Sequence, residues 1–120
     1  MAIHNKLGQK GEEIAASYLL NKGYKILARN WRFKRNEIDI IAIKNEMLIV
    51  FEVKTRTSEF VENLSEIVTR KKQKSIIIAA DAFVDRNEIK NEVRFDIIFI
   101  VFRNENYHLQ HIKEAYTTTG

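Results

Sequence analysis

Apolar and small residues first recur with helical spacing. Leu7, Gly11, Ile14, Ala15 and Tyr18 fall three or four apart across residues 6–22, and Gly23 stands where a left-handed residue closes a helix. From Tyr24 to Phe33 β-favouring and aromatic residues dominate, and Lys34-Arg35-Asn36 supplies a turn. Residues 37–43 then predict a strand, with Ile38, Ile40 and Ala42 on one face and Glu37, Asp39, Ile41 and Ile43 on the other. The polar triplet Lys44-Asn45-Glu46 leads straight into the apolar run from Met47 to Lys54. Two strands joined this tightly are expected to pair as an antiparallel hairpin.

After Thr55 the chain turns polar, and an irregular stretch is expected to about Ser65. A long helix is predicted from Thr69 to Arg86, with Ile76, Ile77, Ala80 and Phe83 or Val84 as its buried stripe. Residues 87–91 break it. Val93 to Phe102 is almost continuously β-branched or aromatic, which suits a strand covered on both faces. Tyr107 to Ile112 reads as a short last strand. The order is α-β-β-β-α-β-β: an α/β fold with a mixed sheet flanked by helices, its strand-helix-strand step a right-handed parallel crossover. No repeat, linker or proline interrupts residues 1–120, so a single domain is expected.

Composition narrows the class. The 120 residues are 45% hydrophobic and 30% charged, ordinary for a soluble globular protein. Without cysteine there is neither a disulfide framework nor a thiolate metal site. No apolar run approaches a membrane span and the first residues lack a signal peptide's apolar core, so a cytoplasmic protein is expected. No Walker loop, Gly-x-Ser-x-Gly or dinucleotide fingerprint occurs, so no small-molecule cofactor is expected. His4, His108 and His111 lack zinc-ligand spacing.

Net charge is +4, and its distribution matters more than its size. Between Glu13 and Glu37 there is no acid, while Lys22, Lys25, Arg29, Arg32, Lys34 and Arg35 supply cations among Tyr24, Trp31 and Phe33. A second block is Arg70-Lys71-Lys72-Gln73-Lys74. Cations interleaved with aromatics suit a phosphate backbone. They equally suit a solvated surface.

Three charges interrupt apolar strands: Asp39 in the first, Glu52 and Lys54 at the end of the second. Residues two apart share a strand face, so Glu52 and Lys54 project together, and the hairpin can set Asp39 beside Glu52. Adjacent carboxylates repel unless a proton or cation joins them. Mg²⁺ is normally held by one or two carboxylates plus water and phosphate, and a nearby lysine can neutralise charge on that phosphate. The alternative is an edge hairpin whose charges simply face water. The chain carries its own control in Glu88-Ile89-Lys90, which repeats the Glu-x-Lys string in a polar segment at a helix end. Glu12 shares a helix side with Ala15, Ala16 and Leu19, so it is drawn toward the core edge or serves only the helix dipole. Arg94 and Asp96, alternating on a strand, read as a structural pair rather than a catalytic one.

Several spaced motifs run in order along nearly the whole chain. They are Gly8, Gly11-Glu12, the helix from Ala15 to Leu20, Gly23-Tyr24, Asn30, the stretch from Glu37 to Ala42 and that from Val50 through Lys54 to Arg56. Lys72-Gln73, Ala79-Ala80, Arg94-Phe95-Asp96, His111-Ile112 and Ala115-Tyr116 follow. In these the chain resembles the YraN family of uncharacterised, endonuclease-like bacterial proteins, related in fold to archaeal Holliday junction resolvases within the PD-(D/E)XK nucleases. The resemblance implies a restriction-endonuclease-like αβββαβ core. It implies Asp39 and Glu52 as metal ligands, Lys54 as the catalytic lysine, Glu12 as an accessory acid and Gln73 as a helical residue facing the same pocket. Asn36 stands where the family usually has glycine, at a turn where asparagine tolerates positive φ.

The leading expectation is therefore an endonuclease using Mg²⁺, or Mn²⁺ in its place, on DNA, branched or otherwise structured DNA included. Its nucleic-acid contacts are expected from Arg29, Arg32, Lys34, Arg35, Arg56, Arg70, Lys71, Lys72 and Lys74. The alternative is a non-catalytic nucleic-acid-binding module that keeps the fold. Related resolvases act as dimers, and a homodimer is expected only by that analogy.

Overall fold

The predicted stripes become elements in the computed structural model, which describes residues 2–57 and 68–118. Helix α1 spans Ala2–Asn21, followed by strands β1 (Lys25–Phe33), β2 (Asn36–Lys44) and β3 (Met47–Thr57). Helix α2 spans Arg70–Arg86, and strands β4 (Glu92–Arg103) and β5 (Asn106–Tyr116) close the chain. The strands form one sheet in the order β1-β2-β3-β4-β5. Only the β3–β4 neighbours are parallel, joined through α2; the other pairs are antiparallel. Among the described residues this is a five-stranded mixed α/β sheet flanked by two helices, consistent with a restriction-endonuclease-like core.

Each helix covers one face. Ala15, Ala16 and Leu19 of α1 pack with Ile40, Ala42, Ile49, Phe51, Ile98 and Ile100. On the other face Ile76, Ala79, Ala80 and Phe83 of α2 pack with Ile38, Ile41, Leu48, Val50, Ile97 and Phe99. Covering both faces is what lets β3 and β4 be apolar at successive positions. Thr69 caps α2, its hydroxyl accepting from the Lys72 N–H at 3.2 Å. Gly23, at φ +92, lets the Tyr24 N–H turn back to the Leu19 carbonyl at 2.9 Å and close α1.

Four expectations change. The alternation expected along β2 slips at Asp39: Ile38 packs with Ile41 on the α2 face, while Ile40 and Ala42 stay on the α1 face. Asn30, bracketed with Asp39 by the pairs Arg29–Ile40 and Trp31–Ile38, sits in the left-handed region at φ 52, and that kink shifts the phase. In the β1–β2 turn the positive φ falls on Lys34 (φ 59) and not on Asn36, so position 36 has no need of glycine. Strand β3 continues to Thr57, because β4 supplies partners as far as Thr57–Phe102; residues 58–65 of the expected irregular stretch lie outside the described residues. Strand β5 runs to Tyr116 instead of ending at Ile112. Its register shifts by a bulge that puts Glu114 at φ 50.

The β2–β3 turn is held by Asn45 (φ 52) and Glu46 (φ 65), both left-handed between the paired Lys44 and Met47. Such two-residue turns favour Asn-Gly, and glutamate bears a Cβ penalty there. Glu46→Gly is expected to raise stability by about 0.5–1 kcal/mol, the relief exceeding glycine's extra chain entropy. Urea unfolding of the two proteins checks this.

Candidate active site

The β2–β3 ladder ends at Ile40–Phe51, yet β1–β2 pairing continues to Phe33–Asn36 and β3–β4 pairing to Thr57–Phe102. The sheet therefore splits between its second and third strands, and both acids lie at the split. Asp39 follows the last paired residue of β2 outward, and its Oδ2 accepts the Val53 N–H at 2.7 Å. A side chain has taken the place that a continuing backbone ladder would occupy. Glu52, on the α2 face of β3, is buried at 5% exposure. Its Oε2 is 3.5 Å from Nζ of Lys54, which is partly exposed.

The two carboxyls touch, and their electrostatics follow from that contact. Burial pushes the Asp39 carboxyl up to about 8, and the Glu52 charge adds to the rise, while the Val53 N–H opposes it. Glu52 is also raised, by burial first. Lys72, then Lys54, then the hydrogen bond with Asp39 pull it back toward the charged form. Burial thus raises both carboxyls, and a pair so placed favours a shared proton or a cation between its members.

Glu12 approaches from α1. Its Oε1 accepts from Asn30 Nδ2 at 2.9 Å and from Arg29 Nη2 at 3.3 Å, and its charge raises Asp39 further. A cleft of about 430 Å³ opens beside it, walled by Gly8, Gln9, Glu12, Asn30, Arg32 and Asp39 among others. The helix comes this close because residue 11 is glycine: a Cβ there would overlap the Thr55 hydroxyl on β3.

Gln73 lies in the same turn of α2 as Lys72. Its amide donates to the Val68 carbonyl at 3.1 Å, inside the first turn of α2. The residue of that turn whose charge acts on Glu52 is Lys72, which the sequence reading treated only as a phosphate contact. Arg29 is likewise committed, bridging Glu12 and Glu13 (3.1 Å) and bracing α1 against β1. Arg32 pairs with Glu37 at 3.6 Å, and an Arg56 Nη donates to the Thr55 carbonyl. Lys34, Arg35, Arg70, Lys71 and Lys74 are exposed. The antiparallel register sets the β1–β2 turn beside the outer end of β3, and the start of α2 meets Glu52. Lys34 and Arg35 occupy the β1–β2 turn, and Arg70, Lys71 and Lys74 the start of α2.

Two features escaped the linear sequence. Asp96, fully buried, accepts two 2.9 Å bonds from the Arg94 guanidinium, one from His111 Nε2 at 2.8 Å and one from the Glu114 N–H at 3.0 Å. The Tyr18 hydroxyl completes the chain at His111 Nδ1, 2.8 Å away. The Arg94–Asp96 pair is structural, as expected. His111 lies 15 residues from Asp96 and 93 from Tyr18, so only the bulge of β5 and the docking of α1 unite them. The second is Tyr116, stacked on Phe95, whose buried hydroxyl has no hydrogen-bond partner among the described residues. Burial and the charges of Glu52 and Asp96 raise its pKa.

No group of three or more aspartate, glutamate or histidine side chains gathers to hold a metal among the described residues. The donor set is a two-carboxylate pair with a lysine alongside. Two anionic oxygens pressed together against their own repulsion fit a hard divalent cation completed by water and phosphate.

An α/β domain with a restriction-endonuclease-like core and an acid pair at the split of its sheet is the class that fold and site define. The profile of "Uncharacterised protein family UPF0102" matches residues 11–100. UPF0102 proteins of Phocaeicola vulgatus and Bacteroides thetaiotaomicron are each 44% identical over 116 residues, covering 97% of this chain and 96% of theirs. That of Flavobacterium johnsoniae is 41% identical over 97% of this chain and 98% of its own. The chain belongs to the UPF0102 family, which is the YraN family its motifs resemble. No helix among the described residues is long and apolar enough to cross a membrane.

Two outcomes are expected. A carboxyl whose folded pKa is raised binds more protons folded than unfolded between the two values, so its contribution to stability falls as pH rises. In chelator, stability should decline from about pH 4 toward pH 8 on account of Asp39. Asp39→Asn should flatten that slope in urea titrations across the range. Separately, Gly11→Ala should cost about 1–3 kcal/mol by overpacking against Thr55. The double variant Gly11→Ala/Thr55→Ala should recover part of that loss, a non-additivity readable by a double-mutant cycle.

Proposed function

We propose that this protein is a metal-dependent endonuclease that hydrolyses DNA phosphodiester bonds, with branched or structured DNA among its substrates. The single observation that carries the reading is the Asp39–Glu52 pair at the split of the sheet, Glu52 buried and Asp39 half-buried, with Lys54 at 3.5 Å from Glu52. Asp39 and Glu52 would hold Mg²⁺, with Mn²⁺ as a substitute. When bound, such a cation activates water and neutralises phosphate charge. Lys54, anchored by Glu52 yet partly exposed, presents its ammonium to the phosphate where negative charge develops. Lys72 adds a second cation on the same face. Glu12, fixed by Arg29 and Asn30, keeps a carboxylate beside Asp39 on the α1 side, where it can orient water or a further cation.

The exposed cations at Lys34, Arg35, Arg70, Lys71 and Lys74 would carry the flanking backbone without reading sequence. Residues 1–120 act as one domain in this reading, in the cytoplasm, where cysteine-free chains are unremarkable. A homodimer follows by analogy with resolvases, because a four-way junction needs two cuts.

The test is cleavage of linear, single-stranded and junction DNA with Mg²⁺ or Mn²⁺, beside gel shifts on the same preparations. Glu52→Ala is expected to abolish cleavage while DNA affinity holds or rises, since a negative charge is lost. Lys54→Ala is expected to retain metal binding and slow cleavage by about two to three orders of magnitude. Wild-type protein that binds DNA and cuts none of these substrates with either metal is a binding module, and the nuclease reading falls.

A further inference from the structure

At the far end of the sheet from the acids, a second pocket opens on the α1 face. Lys44, the last residue of β2, lies five residues beyond Asp39, roughly 17 Å at the usual strand rise. The pocket holds about 220 Å³, with Met47 and Ile49 as apolar floor and Tyr24, Lys44, Arg94 and Lys113 around it. None of the residues lining it is acidic.

Its cations differ in how they are held. Arg94 is locked from behind: Nε and Nη2 each donate at 2.9 Å to the fully buried Asp96, and the guanidinium also reaches the Tyr24 hydroxyl. A guanidinium fixed by a bidentate carboxylate cannot swing away, so its remaining donors keep one direction. Lys44 is equally constrained. Its Nζ donates to the Lys22 carbonyl at 2.6 Å and lies 4.7 Å from the centre of the Tyr24 ring. Neither Lys44 nor Lys113 has an acidic partner among the described residues. Capping of α1 accounts for Lys44 and neutralising Asp96 accounts for Arg94. Neither accounts for Lys113 joining them around a cavity free of acids.

We propose that the pocket formed by Tyr24, Lys44, Arg94 and Lys113 is an anion site that takes a phosphate group. The ligand is a phosphate monoester or diester, seated on Arg94 and Lys113 with its organic part toward Met47 and Ile49. Three cations line the pocket with Asp96 behind Arg94, and phosphate supplies oxygens that a fixed guanidinium pairs well. The site stands apart from the acid pair and does not depend on nuclease activity.

Amide chemical shifts of the full chain test it, in titrations with inorganic phosphate, a nucleoside monophosphate and a short single-stranded deoxyoligonucleotide. Saturable shifts are expected at Tyr24, Asn45, Met47, Arg94 and Lys113. Lys113→Glu, at an exposed position that no packing depends on, should weaken binding by about tenfold or more, the weight of one charge-assisted contact. Lys113→Arg should retain it, and Glu52→Ala should leave it unchanged. Saturation by phosphate or the monophosphate assigns the site to free phosphates; saturation by the oligonucleotide alone assigns it to a nucleic-acid backbone. Absence of saturable shifts with all three, or shifts indifferent to Lys113→Glu, overturns the proposal.

Discussion

Two carboxyl groups that would separate in water are held in contact where β2 and β3 part. Much of the structure answers to that constraint. Backbone pairing stops at Ile40–Phe51, and the Val53 N–H that a continuing ladder would use goes to Asp39. Lys72 and Lys54 draw Glu52 back toward its charged form from the α2 side. Charge so confined is costly for a core to retain, and it is concentrated at one end of an otherwise apolar sheet. Local stability and chemical potential are opposed at this point, as they commonly are at sites that bind metal or substrate.

Helix α1 is the second determinant. Gly11 lets it descend onto Thr55, so Glu12 arrives over the acids, braced by Arg29 and Asn30. One and a half turns later Tyr18 engages His111, which engages Asp96, which fixes Arg94. A single helix thus organises two charged regions of the sheet. The buried Asp96 has all its oxygens satisfied by four bonds, so it adds rigidity rather than strain. Tyr116, buried beneath the same sheet with its hydroxyl unsatisfied, lacks that compensation.

The order of elements and the pairing of β2 with β3 were legible in the chain itself. Helical spacing, a two-residue polar turn and two-sided apolar strands are local properties, and each survives folding because tertiary contacts reinforce it. Asp39, Glu52 and Lys54 stood out for the same reason: a charge inside an apolar strand is a local anomaly. Period-two alternation failed at Ile38 because it assumes a regular strand, and this one is kinked beside the left-handed Asn30. The charge that Lys72 brings to Glu52 was less legible, because it depends on how α2 docks against β3.

By itself the sequence determined which segments are helix or strand, which faces are apolar, and which charges are out of place. Those follow from residue preference and spacing over a few positions. Tertiary structure alone decided that the sheet splits beside the acids, that Arg29 reaches back to Glu12 and Glu13 of α1, and that His111 joins Tyr18 to Asp96. These depend on register, on a left-handed residue at Asn30 and a bulge at Glu114, and on contacts between residues up to 93 positions apart. No local preference encodes them, because each is settled by which of several distant partners the packed core leaves within hydrogen-bonding reach.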